Sequence, residues 1–236
     1  FRSELTKALD DKVELTFWGV RGTLPVCGPD ALRYGGNTSC VSLEFARGQS
    51  LIFDAGSGIK QLSDSLATKN LSNFHSRIFI SHPHWDHINA LPFFAPLYQQ
   101  GNEIEILGAS HGDISMRELI AGQMDGIYFP VNLNQFAARV YFRNLCEETV
   151  EFDGIKVSTM LLNHPGYCLG YRVDYRDRSF CYITDNELFP KDSQHFDPVY
   201  RNKLIQFIKG ADTLIMDTTY SDEEYPAHIG WGHSCV

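Results

Sequence analysis

Short apolar segments with the composition of β-strands alternate with a few helical segments along the chain. Residues 13–20, VELTFWGV, are rich in β-branched and aromatic residues and predict a strand. Residues 38–45 and 50–56 carry two further apolar runs, and the short polar stretch between them predicts a hairpin. The remaining predicted strands are residues 77–81, 103–108, 139–143, 155–162, 168–175, 179–184 and 212–218.

Helices are predicted from the spacing of apolar residues and from end signals. Ile59, Leu62 and Leu66 fall on one face of a helical segment. Asp113 is a candidate N-cap, and Gly210 a candidate C-terminal stop. The three predicted helices are residues 58–69, 113–124 and 200–210.

The order of these elements predicts the fold class. The apolar segment 88–97 contains two prolines, so it predicts only a short helix under a lid. The strands come in hairpin groups with helices between the groups, and neither a repeat nor a linker interrupts them. This pattern favours a single domain over residues 1–236, with two sheets packed face to face and helices outside.

Composition and charge narrow the class of protein. The chain has 236 residues, of which 43% are hydrophobic and 21% charged. This composition excludes a chain that is mainly disordered, collagen-like or coiled coil. No apolar run reaches the ~18 to 20 residues of a membrane-spanning helix. A formal charge of -9 argues against long nucleic acids as partners, because phosphate backbones are bound by clustered Lys and Arg. A small anionic substrate held by a metal remains compatible with this charge.

The cysteines and the first residues bear on the cellular compartment. The six cysteines form no CxxC pair, which predicts reduced thiols in a cytoplasmic protein, with disulfides in an exported protein as the alternative. The first residues, FRSELTKALDDK, are charged and predict no signal peptide. Because the chain begins with Phe1 and not with methionine, processing of the N-terminus remains an alternative.

The strongest chemical signal is the segment Ser-His-Pro-His-Trp-Asp-His at residues 81–87, directly after a buried strand. In an extended stretch His82, His84 and Asp86 share one face, and a following turn brings His87 to the same side. Imidazole and carboxylate groups at this density predict a transition-metal site. Four ligands in six residues exceed what one ion takes from one loop, which indicates two neighbouring ions. The alternative is a polar loop whose histidines cap a helix.

This loop resembles the His-x-His-x-Asp-His signature of the metallo-β-lactamase superfamily. Other motifs resemble its branch of ribonuclease Z-like and cyclic-phosphate phosphodiesterase-like hydrolases. The resemblance implies the fold class α+β, a four-layer αββα sandwich with a dinuclear metal site along one edge. The motifs are Phe-Trp-Gly-Val-Arg-Gly at 17–22, Tyr-Gly-Gly-Asn-Thr-Ser at 34–39, Phe-Asp-Ala-Gly-Ser-Gly at 53–58, Asn-His-Pro-Gly at 163–166, Ile-Thr-Asp-Asn-Glu at 183–187 and Gly-Trp-Gly-His-Ser at 230–234.

The resemblance also implies a set of metal ligands and two divalent ions, with zinc first and manganese or iron as alternatives. Asp86 is in addition a candidate catalytic residue. Without the resemblance, a lone His164 beside a Pro-Gly turn would read as structural. The implied ligands are His82, His84 and His164 for the first ion, Asp86 and His87 for the second, and Asp185 as the bridge between them.

One part of the family pattern is missing. The resembling proteins continue past the Gly-His-Ser motif through a helix and a strand to a final histidine ligand, whereas Val236 stands three residues after His233. We expect a truncated chain that lacks its last helix and strand. The alternatives are that His233 or His228 substitutes for this ligand, or that the second site is weak or empty.

Further residues are candidates for substrate contact and catalysis. In the resembling phosphodiesterases the Gly-His-Ser histidine lies near the substrate phosphate, which assigns His233 to phosphate binding or to protonation of the leaving oxygen. Asp217 is expected to orient it, with a turn cap as the alternative. Asp54 is expected to hold the metal loop through its backbone amides. Arg21 and Asn37 are expected to border the site, where Arg21 binds a phosphate oxygen or is simply a surface arginine.

These residues support a metal-dependent hydrolase, most directly a phosphodiesterase that attacks its substrate with a metal-activated hydroxide. The chain carries no insertion like the Gly- and Pro-rich arm with which ribonuclease Z enzymes grip tRNA, so a small or cyclic phosphodiester is the expected substrate. A thioester, lactone or β-lactam hydrolase of the same fold is one alternative. A non-catalytic metal-binding domain is the other.

Aromatic residues after the metal loop are candidates for an apolar wall that binds a base. Core packing or a dimer contact explains them equally well. The expected partners are therefore a small phosphodiester and, as in many resembling proteins, a second copy of the chain, with no membrane. The aromatic candidates are Phe93, Phe94, Tyr98, Tyr128 and Phe129.

Overall fold

The computed structural model describes residues 12–46, 48–69 and 73–235. Within these residues the chain divides into two compact units. The first runs up to Gly108 and includes Gly112–Asn144, and the second consists of Ala109–His111 and the chain from Leu145 onwards. Residues 1–11, on which the absence of a signal peptide was predicted, lie outside the described residues. The single domain over 1–236 remains a prediction.

The first unit is built on a six-stranded sheet in the order β1-β2-β3-β4-β5-β6. The pairs β1–β2 and β2–β3 are antiparallel, which confirms the predicted hairpin, whereas β3–β4 and β4–β5 are parallel. The strands are β1 Val13–Gly19, β2 Cys40–Phe45, β3 Ser50–Phe53, β4 His75–Ile80, β5 Glu103–Ala109 and β6 Arg139–Leu145.

The parallel centre of this sheet explains where the metal loop lies. Leu51, Ile52 and Phe53 of β3 are fully buried, as are Ile78 and Phe79 of β4. Strands buried on both faces are typical of parallel pairs covered by helices. The ends of β3 and β4 are in register, so the polar residues that follow each strand emerge side by side.

The helices of the first unit cover this centre. Helix α1, Gly58–Thr68, buries Ile59, Leu62 and Leu66 against the core, as predicted. Helix α2 is a single turn, Trp85–Ile88, and contains the last three residues of the metal loop. The apolar segment that follows forms two 3-10 helices, Leu91–Phe93 and Ala95–Tyr98, instead of one short helix.

The predicted start of the next helix is wrong. Helix α3 spans Met116–Gly122, and its N-cap is Ser115 rather than Asp113. The Ser115 hydroxyl accepts a bond from the Glu118 amide, and the Glu118 carboxylate accepts one from the Ser115 amide. This reciprocal pair satisfies two helix-end donors, which a cap at Asp113 would leave unmet.

The second unit is built on a five-stranded sheet in the order β11-β10-β9-β8-β7. Its pairs are antiparallel except β10–β11, which is parallel. The short strand β7 was not predicted. The strands are β7 Thr149–Phe152, β8 Ile155–Leu161, β9 Leu169–Tyr175, β10 Arg178–Ile183 and β11 Thr213–Met216.

Helix α4, Pro198–Ile208, crosses between β10 and β11 and contributes the buried Leu204 to the core of the second unit. It begins two residues earlier than predicted because Asp197 caps it. The Asp197 carboxylate accepts bonds from the amides of Val199 and Tyr200. Pro198, at the first helical position, costs no hydrogen bond there.

Replacing Asp197 with alanine is expected to lower the free energy of unfolding by about 1 kcal/mol, because two helix-end amides lose their acceptor. In a chain of this size, that corresponds to a fall of about 2–4 °C in the melting temperature, measurable by circular dichroism. Asp192→Ala, in the same exposed loop, is the matched control and should melt like the wild type. Equal melting temperatures for both variants would contradict the cap.

The cysteines and the helices bear on the remaining compositional predictions. All six cysteines lie in the described part of the chain, and all are free thiols. The structure therefore contradicts the alternative in which these cysteines form disulfides. Among the described residues, every helix is too short or too polar to cross a lipid bilayer.

Candidate metal centre

The end of β4 delivers the His-rich loop of the first unit. Ser81 and His82 follow the strand in buried positions, and His84 is the exposed N-cap of α2. Asp86 and His87 lie within the helical turn itself, so Asp86 does not continue the extended stretch assumed from the sequence. The loop instead presents its four donor side chains as two neighbouring pairs.

The first pair is His82 and His84. Their rings meet edge to face, and Nε2 of His82 lies 2.8 Å from Nδ1 of His84. Nδ1 of His82 lies 3.0 Å from the Ser81 hydroxyl, which leaves Nε2 as the donor atom toward a metal. Two imidazole nitrogens that converge in this way suit zinc, iron or manganese.

The second pair is Asp86 and His87. Nε2 of His87 lies 3.4 Å from Oδ2 of Asp86, and that same oxygen accepts a hydrogen bond from the Thr23 amide. His87 is fully buried, and its Nδ1 lies 2.7 Å from Oδ2 of Asp54. A carboxylate on one ring nitrogen fixes the other as a metal donor, which is the usual arrangement of ligating histidines.

Asp54 holds the loop as predicted. It follows β3 with φ 61° and is fully buried. Its Oδ1 accepts from the Ser81 amide at 2.7 Å, and its Oδ2 accepts from the Ser81 hydroxyl at 2.9 Å. Since Oδ2 also meets His87, one carboxylate sets both the backbone of the loop and the orientation of a donor ring.

Replacing Asp54 with asparagine is expected to weaken metal binding about 10- to 100-fold. Asparagine tolerates the left-handed backbone. Its amide oxygen must still serve the Ser81 amide, so its NH2 group faces Nδ1 of His87 and cannot accept a proton from it. Competition titration of zinc against a chelator measures the change. Asp153→Asn, at an exposed turn with φ 52°, is the matched control. An unchanged affinity in the Asp54 variant would refute this role.

The second unit carries His164 and Asp185. His164 is buried, and its Nδ1 lies 2.9 Å from the Gly232 carbonyl oxygen, so Nε2 is again the available donor. That Nε2 lies 3.7 Å from Oδ2 of Asp185, directly after β10. The Thr184 hydroxyl donates to the other Asp185 oxygen. The buried His164 therefore presents its Nε2 to the Asp185 carboxylate.

His233 and Asp217 form the carboxylate–imidazole dyad expected from the sequence. Nδ1 of His233 lies 2.8 Å from Oδ2 of Asp217, and Nε2 lies 3.9 Å from Oδ2 of Asp185. The amide and hydroxyl of Thr219 both donate to Oδ1 of Asp217, and the Asn186 amide donates to Oδ2. These bonds hold the Asp217 carboxylate in place, with Oδ2 aimed at the imidazole. Donor atoms of the two aspartates and His233 lie within 4.8 Å of one another, so the cluster also has the composition of a cation site.

Glu187 is the important residue that sequence reasoning missed. Its buried carboxylate accepts bonds at 2.8 Å from the amides of Gly230 and Gly232 and from the hydroxyl of Tyr225. Burial, and then the bond to Glu187, raises the pKa of Tyr225, which therefore remains a donor. Glu187 thereby fixes the loop that carries His233. The available signal was its place two residues after Asp185, within a motif already singled out.

Arg21 and Asn37 are paired within the first unit, and Thr23, two residues after Arg21, bonds to Asp86 of the metal loop. The Arg21 amide donates to the Asn37 carbonyl oxygen, and the side chain of Arg21 is exposed. The Asn37 carboxamide is engaged with the Trp18 carbonyl and the Ser57 hydroxyl. Asn37 therefore holds the backbone from which Arg21 projects.

The candidate aromatic wall divides into two kinds of residue. Phe94 is fully buried in the core, and Tyr98 is partly buried with its hydroxyl bonded to a backbone carbonyl. Phe93 is half-exposed and meets Phe129 edge to face, and Tyr128 is exposed. Core packing accounts for Phe94, so a wall would consist of the other residues.

Comparison with known proteins bears on the identity of the chain. The sequence is 24% identical over 243 residues to ribonuclease Z of Lactococcus lactis subsp. lactis, covering 84% of this chain and 76% of the relative. The fold matches human tRNase Z, short form, with TM-score 0.63 and 22% identity over 94% of this chain and 83% of that one. It also matches a diphosphatase from the PhnP family, with TM-score 0.65 and 18% identity over 95% and 79% of the two chains.

The fold and the superfamily match define a metal-dependent hydrolase with the metallo-β-lactamase fold, which confirms the predicted fold class and the predicted enzyme class. Its His and Asp groups have the composition of a divalent-metal site. The sequence model of the beta-lactamase superfamily domain matches residues 50–236, well over half of the chain. The chain therefore belongs to the β-lactamase superfamily.

Proposed function

We propose that this hydrolase cleaves phosphodiesters, and small or cyclic ones in particular. The observation that carries the proposal is the Asp217–His233 dyad, whose Nε2 lies beside Asp185. A proton donor next to a metal ligand suits a leaving alkoxide, which must be protonated as the P–O bond breaks. Attack on a thioester expels a thiolate, which needs no such donor.

The proposed ligand set keeps the two pairs of the metal loop and adds His164 and Asp185. His82, His84 and His164 are assigned to one ion, and Asp86 and His87 to a second. Asp185 is assigned to both. We further propose that the number of ions is two and that zinc is the native metal, because the donors are imidazole and carboxylate groups. When bound, divalent ions supply Lewis acidity, which brings the pKa of water towards neutrality and neutralises charge on phosphoryl oxygens.

The protein's own groups then have distinct tasks. Asp217 keeps His233 in the tautomer that carries its proton on Nδ1 in the resting dyad, and stabilises the imidazolium when Nε2 is protonated as well. The proton on Nε2 passes to the leaving oxygen. Arg21 lies two residues before Thr23, whose amide bonds to Asp86, and is proposed to bind a non-bridging phosphate oxygen. Asn37 is proposed to position it through the backbone.

Two substrate classes are in competition. The relatives in sequence are named ribonuclease Z, which favours RNA as a second candidate. The formal charge of -9 favours a small substrate, because long RNA is bound through many phosphate contacts to Lys and Arg. We therefore place the small or cyclic phosphodiester first.

A substrate panel tests the proposal on zinc- and manganese-loaded protein of measured metal content. The panel comprises bis-p-nitrophenyl phosphate, cyclic nucleotides, a precursor tRNA, a thioester and a lactone. Turnover of the first two above the others, lost on chelation and restored by metal, is the expected result. Preferred turnover of the tRNA would establish the second candidate. Turnover of the carbonyl substrates alone, or of none, would overturn the proposal.

A further inference from the structure

Three aromatic side chains of the second unit lie next to His233. We propose that Tyr220, His228 and Trp231, here called the aromatic shelf, bind the nucleobase of the substrate. The inference rests on the proposed function and deepens it. It makes phosphodiesters of nucleosides, rather than those without a base, the preferred class of substrate.

The rings of the shelf are in mutual contact. Tyr220 and His228 stack at 4.3 Å between centroids with their planes 14° apart. Trp231 meets His228 edge to face at 4.9 Å. The Tyr220 ring also lies 6.1 Å from the ring of His233, at 87°. The shelf therefore starts at the proposed phosphate contact and continues from Tyr220 through His228 to Trp231.

Hydrogen bonds to Glu187 fix the loop around Trp231. Glu187 accepts the amides of Gly230 and Gly232, one on each side of the tryptophan. Both glycines have left-handed backbone, with φ 89° and 85°, and a Cβ at Gly232 would lie 2.5 Å from the His164 ring. Since neither position accepts another residue without strain, the sequence around Trp231 is tightly constrained.

Despite this fixed backbone, the indole of Trp231 is 62% exposed. A single exposed apolar side chain is ordinary. The indole of Trp231 differs from that case. One buried carboxylate holds the amides on both sides of it, and its edge contacts a stacked pair of rings. It therefore forms a surface with a defined shape. Aromatic faces presented in this way stack with bases of any sequence.

Charge identifies the kind of group that the shelf accepts. Residues 220–233 contain Asp222, Glu223 and Glu224 but neither lysine nor arginine. His228 is tied by Nδ1 to the Glu224 carbonyl oxygen. A second phosphate would meet unfavourable charge here. An uncharged ring, joined through a sugar to a phosphate at His233, fits both the acidic surroundings and the aromatic faces.

The test compares two substrates with the same leaving group, thymidine 5′-(p-nitrophenyl phosphate) and methyl p-nitrophenyl phosphate. Trp231→Ala is expected to raise KM for the thymidine ester about 10-fold while kcat, and both constants for the methyl ester, stay unchanged. Trp231→Phe should restore most of the loss. Ile229→Ala, an exposed apolar residue of the same loop, is the matched control. Equal changes for the two esters, or none, would overturn the shelf.

A binding measurement separates failure of the shelf from failure of the proposed function. If the wild type turns over neither ester, the phosphodiesterase proposal fails. Calorimetric titration of the metal-loaded protein with thymidine 5′-monophosphate and with ribose 5-phosphate then decides about the shelf. Tighter binding of the nucleotide that is lost in Trp231→Ala supports it. Equal binding of the two ligands, or binding of neither, overturns it.

Discussion

Replacing His84 with alanine is expected to lower phosphodiester turnover by about a thousandfold or more, because it removes a proposed ligand of the ion that would bring the pKa of water from ~15.7 towards 7. His84 is exposed and faces His82 at 2.8 Å, so its removal leaves the core of the first unit intact. The variant should therefore fold and melt like the wild type. Initial rates with bis-p-nitrophenyl phosphate, together with metal content by plasma mass spectrometry, measure the effect.

The control for this variant is His75→Ala. His75 is an exposed histidine at the start of β4, at the opposite end of the strand from the metal loop. It should keep full activity and full metal content. Equal rates for the wild type and His84→Ala, at any metal content, would refute the proposed catalytic role of an ion bound by His84.

Changes in the dyad form the second large effect. His233→Ala is expected to reduce kcat by a factor of about 10² to 10⁴, the usual range for a general acid. Asp217→Asn should have a related effect, because its amide oxygen must still accept from Thr219, so its NH2 group faces Nδ1 of His233 and cannot accept a proton from it. The loss should be larger for an alkyl leaving group than for p-nitrophenolate, because only the poor leaving group needs a proton.

Metal content distinguishes this role from the alternative in which His233 serves as a ligand. Asp185, Asp217 and His233 together have the donors for a cation. If His233 is a proton donor, His233→Ala keeps the metal content of the wild type. Loss of one ion per chain, with equal damage for both leaving groups, would instead make His233 a ligand. His195→Ala, an exposed histidine of the same unit, should change neither quantity.

The donors of the metal loop were predictable because they are contiguous in sequence and follow an apolar strand. Seven residues carry the whole pattern, and the buried β4 before them fixes where they emerge. Asp54 was predictable for the same reason, since it ends the neighbouring strand in parallel register. Local sequence therefore determines most of the first unit's chemistry.

Contacts between distant segments were not predictable in this way. Glu187 meets Gly230 and Gly232 across 43 and 45 residues, and nothing local distinguishes it from a surface glutamate. Strand β7 has only four residues, two of them polar, and gains its structure from pairing with β8. The cap of α3 was misplaced for a different reason: the Ser-x-x-Glu pattern that begins at Ser115 was present, but the earlier Asp113 was preferred.

Because Glu187 binds the backbone amides on both sides of Trp231, residue 231 is a practical position for mutagenesis. The main chain there is set by the carboxylate and by two glycines, not by the indole, whose side chain points to solvent. A saturation library at this one position should therefore yield folded, metal-loaded proteins throughout. Differences among its members would report directly how the enzyme chooses its organic group.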